Sequence, residues 1–196
     1  MNLFWPPAFH WVYMLVVPME KPLPVRAARS GDPEAWDALF QRYQRPLYAY
    51  VFEWVHDEQT SLDIVQESFI KAVRHLGTLR EDGKFGSWLF GIAHQKCVQH
   101  WRRGHPTEPF EEEHEGGTAP AEGPAEQLIR QEDQAAFLAG LEQLPSAQRS
   151  VLVLHFLEEF SLEEIARITA VPLGTVKSRI HFAKKALRQW MEERTP

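Results

Sequence analysis

The sequence predicts an all-α protein in which two small helical domains are joined by a flexible acidic linker. Three observations carry that expectation. Apolar residues recur at spacings of three and four, and no two-residue alternation runs long enough for a strand. Eight of the chain's 11 glycines and 14 prolines fall between Gly104 and Glu126, in a segment too polar to bury a core. Helix-start signals precede the periodic stretches on both sides of that segment.

Residues 1–23 read as an extension of unknown role. The run Leu3 to Val17 is apolar, but no Lys or Arg precedes it, and Pro6, Pro7 and His10 interrupt it. It is also shorter than the roughly 20 residues needed to span a bilayer. The first domain is expected over 24–104. Asp32-Pro33 opens a helix, because Asp can cap and Pro fits the first helical position. Trp36, Leu39, Phe40, Tyr43, Leu47, Tyr50 and Trp54 then form one apolar stripe. Ser61 is the expected cap of a second helix. Leu62, Val65, Phe69, Ile70 and Val73 lie on its apolar face, and Asp63, Gln66, Glu67 and Lys71 on the other. Gly77 to Gly86 reads as a loop, and Trp88, Leu89, Ile92, Ala93, Cys97 and Trp101 restart the helical pattern.

The linker is expected over 105–126 and the second domain over 127–196. Leu128, Ile129, Phe137, Leu138, Leu141 and Leu144 restore the periodicity, Pro145 breaks it, and Val151, Leu152, Leu154 and Phe156 resume it. Ser161-Leu162-Glu163-Glu164 is a capping box for a short helix. After a turn of about four residues, a second helix begins near Pro172 or Leu173. Val176, Ile180, Ala183 and Leu187 form its buried face, leaving Lys177, Ser178, His181, Lys184, Lys185 and Arg188 outside. Such a pair is a helix-turn-helix, whose second helix enters a major groove.

Charge supports a nucleic-acid partner despite the net −6. Between Gly104 and Glu126 there are seven acids and no Lys or Arg. Between Glu164 and Glu192 there is no acid against six Lys and Arg, and between Asp82 and Glu108 none against Lys84, Lys96, Arg102 and Arg103. Phosphate neutralisation depends on such local charge, not on the whole-chain sum. Cys97 is the single cysteine, so neither an intrachain disulfide nor a cysteine-based zinc site can form. His94, His100 and His105 near Cys97 do not have zinc-site spacing. No Gly-rich phosphate loop, activated-nucleophile motif or His-Glu-x-x-His pair is present, which argues against an enzyme.

Several motifs together resemble one family. Leu141 to Pro145, Arg149 to Phe156, Ser161 to Ala166 and Pro172 to Arg179 resemble the promoter-binding C-terminal domain of bacterial sigma factors, in the extracytoplasmic-function (ECF) group. Asp63 to Ala72 resembles the segment that docks on the β′ coiled coil of RNA polymerase. Phe85 to Ala93, ending in Trp101-Arg102-Arg103, resembles the segment that melts and reads the minus-ten element.

The resemblance implies roles residue by residue. Asp63, Gln66, Glu67 and Lys71 would bind core polymerase, which contributes its β′ coiled coil and β subunit. Arg80, Lys84, Phe85, His94, Gln95, Gln99, Arg102 and Arg103 would meet minus-ten DNA, with Phe85 either stacking on a base or anchoring its loop. Thr175, Lys177, Ser178, Arg179, His181 and Lys184 would meet the minus-thirty-five element, some of them holding phosphates alone. The family usually has Arg-Asn where this chain has His94-Gln95, and an acid where it has Gln99. That departure points to an unusual minus-ten preference. The acidic linker would run through the polymerase cleft in place of RNA, or serve as a solubilising tether. The resemblance further implies a cytoplasmic protein in a stress or envelope response, with promoter DNA and an anti-sigma factor as partners. No cofactor and no small-molecule substrate are expected. The rival reading is a dimeric helix-turn-helix regulator that binds DNA without polymerase and leaves the Asp63–Glu67 face without a role.

Overall fold

A computed structural model of the chain describes residues 23–104, 139–141 and 143–193. The N-terminal extension up to residue 22 and the whole acidic segment lie outside the described residues. Seven α-helices are described here: α1 (Val25–Arg29), α2 (Pro33–Val55), α3 (Glu58–His75), α4 (Phe85–Gly104), α5 (Ser146–Leu152), α6 (Leu162–Thr169) and α7 (Leu173–Glu192). No strand occurs among the described residues.

Helix α2 starts as its sequence dictates. Asp32 accepts a 3.0 Å bond from the Glu34 amide, and Pro33 occupies the first turn. Leu39, Tyr43, Leu47 and Tyr50 from the expected stripe are buried. The start of α3 departs from expectation. Asp57, not Ser61, is the cap, accepting a 2.8 Å bond from the Thr60 amide. Ser61 lies inside the helix, where its hydroxyl donates to the Asp57 carbonyl at 2.6 Å. An Asp four residues upstream with an extended backbone wins the capping position, and Ser61 is buried beneath it.

Two 3₁₀ turns, Leu76–Thr78 and Asp82–Lys84, carry the chain from α3 to α4. Helix α1, which has no side-chain cap, holds this connection in place. Its Arg29 bonds the Leu79 carbonyl at 3.0 Å and pairs with Asp82 at 2.7 Å. Helix α4 begins three residues before the expected Trp88. Phe85 is fully buried, with its ring 5.5 Å from Tyr43 and 6.3 Å from Trp36. Gly86 is required beside it, because a Cβ there would meet the Tyr43 hydroxyl at 2.9 Å. Cys97, 1% exposed, faces the same core, and burial pushes its thiol pKa up to about 12.

In the C-terminal half, α5 passes into one turn of π-helix over Val153–Leu157. The added residue shifts the register, so Phe156, expected inside, is exposed while Val153 and Leu154 are buried. The capping box of α6 is complete. Ser161 Oγ accepts from the Glu164 amide at 3.3 Å, and Glu164 Oε2 accepts from the Ser161 amide at 3.0 Å. Ala170, at φ 57°, ends α6 in the left-handed conformation, and α7 follows at Leu173. Val176, Ile180, Ala183 and Leu187 are buried as expected. Replacing Ser161 by Ala removes the first half of the box. The C-terminal helices are expected to lose about 0.5–2 kcal/mol, read as a lower thermal midpoint.

The two sets of helices are not independent. One continuous apolar cluster runs from Val25 to Ala183, with α4 packed on α6 and α2 on α5. Two ion pairs cross the junction: Glu53 with Arg149 at 2.6 Å, and Lys84 with Glu164 at 3.1 Å.

Candidate functional site

Helix α3 presents a half-cylinder to solvent. Asp63, Gln66, Glu67 and Lys71 are all exposed on it. Leu62 (47% exposed), Ile70 (43%) and Val73 (55%), expected in the core, are exposed beside them. At 100° per residue, these side chains share one continuous face, while Ile64, Val65, Phe69 and Ala72 fill the core. Gln59 donates to Asp63 at 3.2 Å, and Lys96 from α4 pairs with Glu67. That bond from Lys96 holds the Glu67 carboxyl below its usual range. The face thus combines charge and apolar area, as the surface of a protein–protein contact does.

The expected minus-ten residues divide into two groups. Arg80, Gln95, Gln99, Arg102 and Arg103 are exposed. Phe85 is not, and its burial among Trp36, Tyr43 and Trp88 assigns it the anchoring part of its expected role in this packing. Lys84 is half-buried and paired with Glu164. Burial alone would raise the Glu164 carboxyl, but bonds from Ser161, Lys84 and Ser87 outweigh it and leave the pKa lowered.

His94 corrects an expectation outright. It is 4% exposed, and the Tyr50 hydroxyl lies 2.8 Å from its Nδ1. Trp54 packs edge-on with its ring centroid 5.2 Å away, and the Thr169 backbone bonds the imidazole. Burial first, with the Arg179 charge adding to it, lowers its pKa to about 4, so the ring is neutral at pH 7. The unfolded chain, with His near 6.5, binds more protons than the folded one between those values. Stability from this site is therefore present above pH 6.5 and lost as pH falls towards 4, by about 3 kcal/mol. Glu158, raised by burial to about 7, works in the opposite direction over part of that range. Urea unfolding of wild type and His94→Gln across pH 4–7 separates the two. The advantage of the wild type is expected to shrink on acidification.

Beside the 3₁₀ turns lies a cavity of about 580 Å³. Arg80, Lys84, Trp88 and Gln95 line it, joined by Lys71 from α3 and Arg167 from α6. Cations around an indole suit a single strand with an unstacked base.

On α7, Lys177 is exposed and Thr175, His181 and Lys184 are half-buried. Lys184 Nζ stands over the exposed Phe156 ring, 5.2 Å from its centroid. Ser178 and Arg179 are each 7% exposed, against the expectation that both face DNA. The Ser178 hydroxyl donates back to the Gly174 and Thr175 carbonyls at 3.2 and 3.1 Å. Arg179 points into the junction, close enough to Tyr50 and His94 for its charge to act on both. Among the described residues, no group of three His, Cys, Asp or Glu side chains could hold a metal. His105 lies outside them. No described helix is long and apolar enough to cross a membrane.

Known proteins share both halves of this arrangement. Residues 39–106 match the family described as Sigma-70 region 2, and residues 134–187 match Sigma-70, region 4. The RNA polymerase sigma-H factor of Pseudomonas aeruginosa is 35% identical, over 83% of this chain and 89% of that one. The ECF RNA polymerase sigma-E factor of Salmonella typhimurium is 35% identical, over 83% and 90%. Among solved structures, CnrH in complex with the cytosolic domain of CnrY aligns with a TM-score of 0.58 at 21% identity, covering 89% of this chain and 98% of that one. The sigma factor RpoE in complex with the anti-sigma factor NepR, from Bartonella quintana, gives 0.58 at 20% identity, over 83% and 99%. With both regions matched in order, the chain belongs to the ECF RNA polymerase sigma factors, non-catalytic factors of promoter-specific transcription initiation.

Proposed function

We propose that region 2, residues 24–104, docks on core polymerase through the exposed half of α3, with Asp63, Gln66, Glu67 and Lys71 as its polar contacts. Arg80, Lys84, Gln95, Gln99, Arg102 and Arg103 then take the opened minus-ten strand. Region 4, residues 127–196, reads the minus-thirty-five element through Lys177, Thr175, His181 and Lys184. The observation that carries this reading is the mixed face of α3. Exposed Leu62, Ile70 and Val73 beside the Asp63 and Glu67 carboxylates give α3 the surface of a factor that rides on another protein. The chain would work where the polymerase is, in the cytoplasm. An anti-sigma factor is the regulator that the solved neighbours suggest, since the sigma factor RpoE was solved bound to the anti-sigma factor NepR.

Run-off transcription with bacterial core polymerase on a genomic promoter library tests this. Transcripts are expected only with the chain present. Specific duplex binding by the chain alone, with no new transcripts from active core, would replace the reading with a stand-alone regulator. Within region 4, Lys177→Ala is expected to weaken binding to the duplex element. It should also reduce the slope of log affinity against log salt by about one, the loss of one phosphate contact.

A further inference from the structure

We propose that the cavity beside the 3₁₀ turns is a site for a free nucleoside polyphosphate, with the base against Trp88 and the phosphates among Lys71, Arg80 and Arg167. What an occupant there controls rests on the sigma reading. The site itself stands on the geometry.

Three separate stretches of chain bring cations to one lining. Helix α3 supplies Lys71, the 3₁₀ connection supplies Arg80, and α6 supplies Arg167. All three side chains are exposed, and none forms an ion pair with a described residue. Lys84 lines the cavity too, but Glu164 already holds it at 3.1 Å. Against those three cations the lining has one carboxylate, Glu81. The cavity is therefore locally positive in a chain of net charge −6.

Trp88 supplies the aromatic surface. It is half-buried, and the buried Phe85 ring braces it from 6.1 Å away. A braced indole loses little further freedom when a base stacks on it. Gln95 and Glu81 are exposed on the same lining and offer acceptors to the N–H groups of a base edge or the hydroxyls of a sugar.

Charge and size favour a free nucleotide here. A single strand brings one phosphate per base, spaced along its backbone. A nucleoside di- or triphosphate brings about three or four negative charges on one base, which suits three cations on one lining. The volume of about 580 Å³ falls inside the range of roughly 300–1,000 Å³ usual for small-molecule sites. Arg80 and Gln95 belong to the minus-ten set, so a nucleotide held here stands in the path of the opened strand. The nucleotide level would then set how much of the chain can open a promoter.

Anisotropy of mant-ADP, a fluorescent derivative of ADP, titrated with the full chain tests the site. Saturable binding is expected, displaced by unlabelled ADP. AMP should displace it at least about tenfold less well, because it offers the cations one phosphate group fewer. Arg80→Ala and Arg167→Ala should each weaken binding about tenfold to a hundredfold, the loss of one charge-assisted hydrogen bond. Arg26→Ala, an exposed position on α1 outside the cavity, should leave binding unchanged. Arg80 and Arg167 are exposed, so neither substitution hollows the core; should one variant lose its helical circular dichroism, the other decides.

The absence of saturable binding overturns the proposal. So does equal weakening by Arg26→Ala, which marks attraction of anions by the whole surface. Displacement by inorganic tripolyphosphate as strong as by ADP removes the base from the site and overturns it too. AMP and ADP of equal strength would return the cavity to the DNA strand alone. Run-off transcription reads the other question. A chain that binds mant-ADP through both arginines yet gives no transcript overturns the sigma reading and leaves the site standing. A chain that transcribes but binds no mant-ADP overturns the site alone.

Discussion

Replacing Gln66 and Glu67 together by Ala is expected to abolish core-dependent transcription while leaving the fold intact. Both side chains are exposed on α3, so neither substitution opens a cavity. Their position is what makes the loss large. Gln66 lies between Leu62 and Val73 on one side and Ile70 on the other, and Glu67 lies just beyond Ile70, between Asp63 and Lys71, so a partner helix covering the whole face excludes water around both. Hydrogen bonds in such a dry centre exceed about 2 kcal/mol each on truncation. Two of them correspond to about a thousandfold in affinity. Binding of labelled chain to core, measured by anisotropy, checks the number. Unchanged affinity would move the docking surface elsewhere. Lys96→Ala frees Glu67 from its intramolecular partner and is expected to change binding far less.

The second large effect is at Phe85. Truncation to Ala should destabilise region 2 by about 3–5 kcal/mol, the range for a buried aromatic. That is a large part of the stability of a domain this size. Phe85→Leu refills most of the volume and should restore both folding and promoter opening, because the ring sits among Trp36, Tyr43 and Trp88 away from solvent. A base-stacking ring would behave differently: Leu would fold normally yet fail to open DNA. Urea unfolding and permanganate footprinting of the same three proteins distinguish the outcomes.

Local chemistry made much of this molecule readable from its residues. The Ser161–Glu164 box, the Asp32-Pro33 start and the four buried positions of α7 all depend on neighbours within a turn or two, and each stands where the spacing put it. Ser61 misled because Asp57 offered a better cap one turn earlier. Phe156 misled because the π turn inserts a residue that no periodicity announces. The larger gap concerns what covers each face. A helical wheel separates the sides of α4 and α7 but cannot say that those helices turn His94 and Arg179 towards one another across two domains. His94 was legible as a departure from the usual Arg, while its reason, a neutral ring closed between Tyr50 and Thr169, is a property of the packed chain.

The single thiol gives the molecule a built-in clock. A cysteine reacts as thiolate, and the Cys97 thiolate is suppressed both by its raised pKa and by the walls around it. Peroxide or an alkylating agent therefore reaches it only when α4 comes out of the core. The rate of modification measures how often region 2 opens that far. Through this thiol the folded chain does not respond to oxidants: Cys97 answers to unfolding of α4 and not to the redox state of the solution.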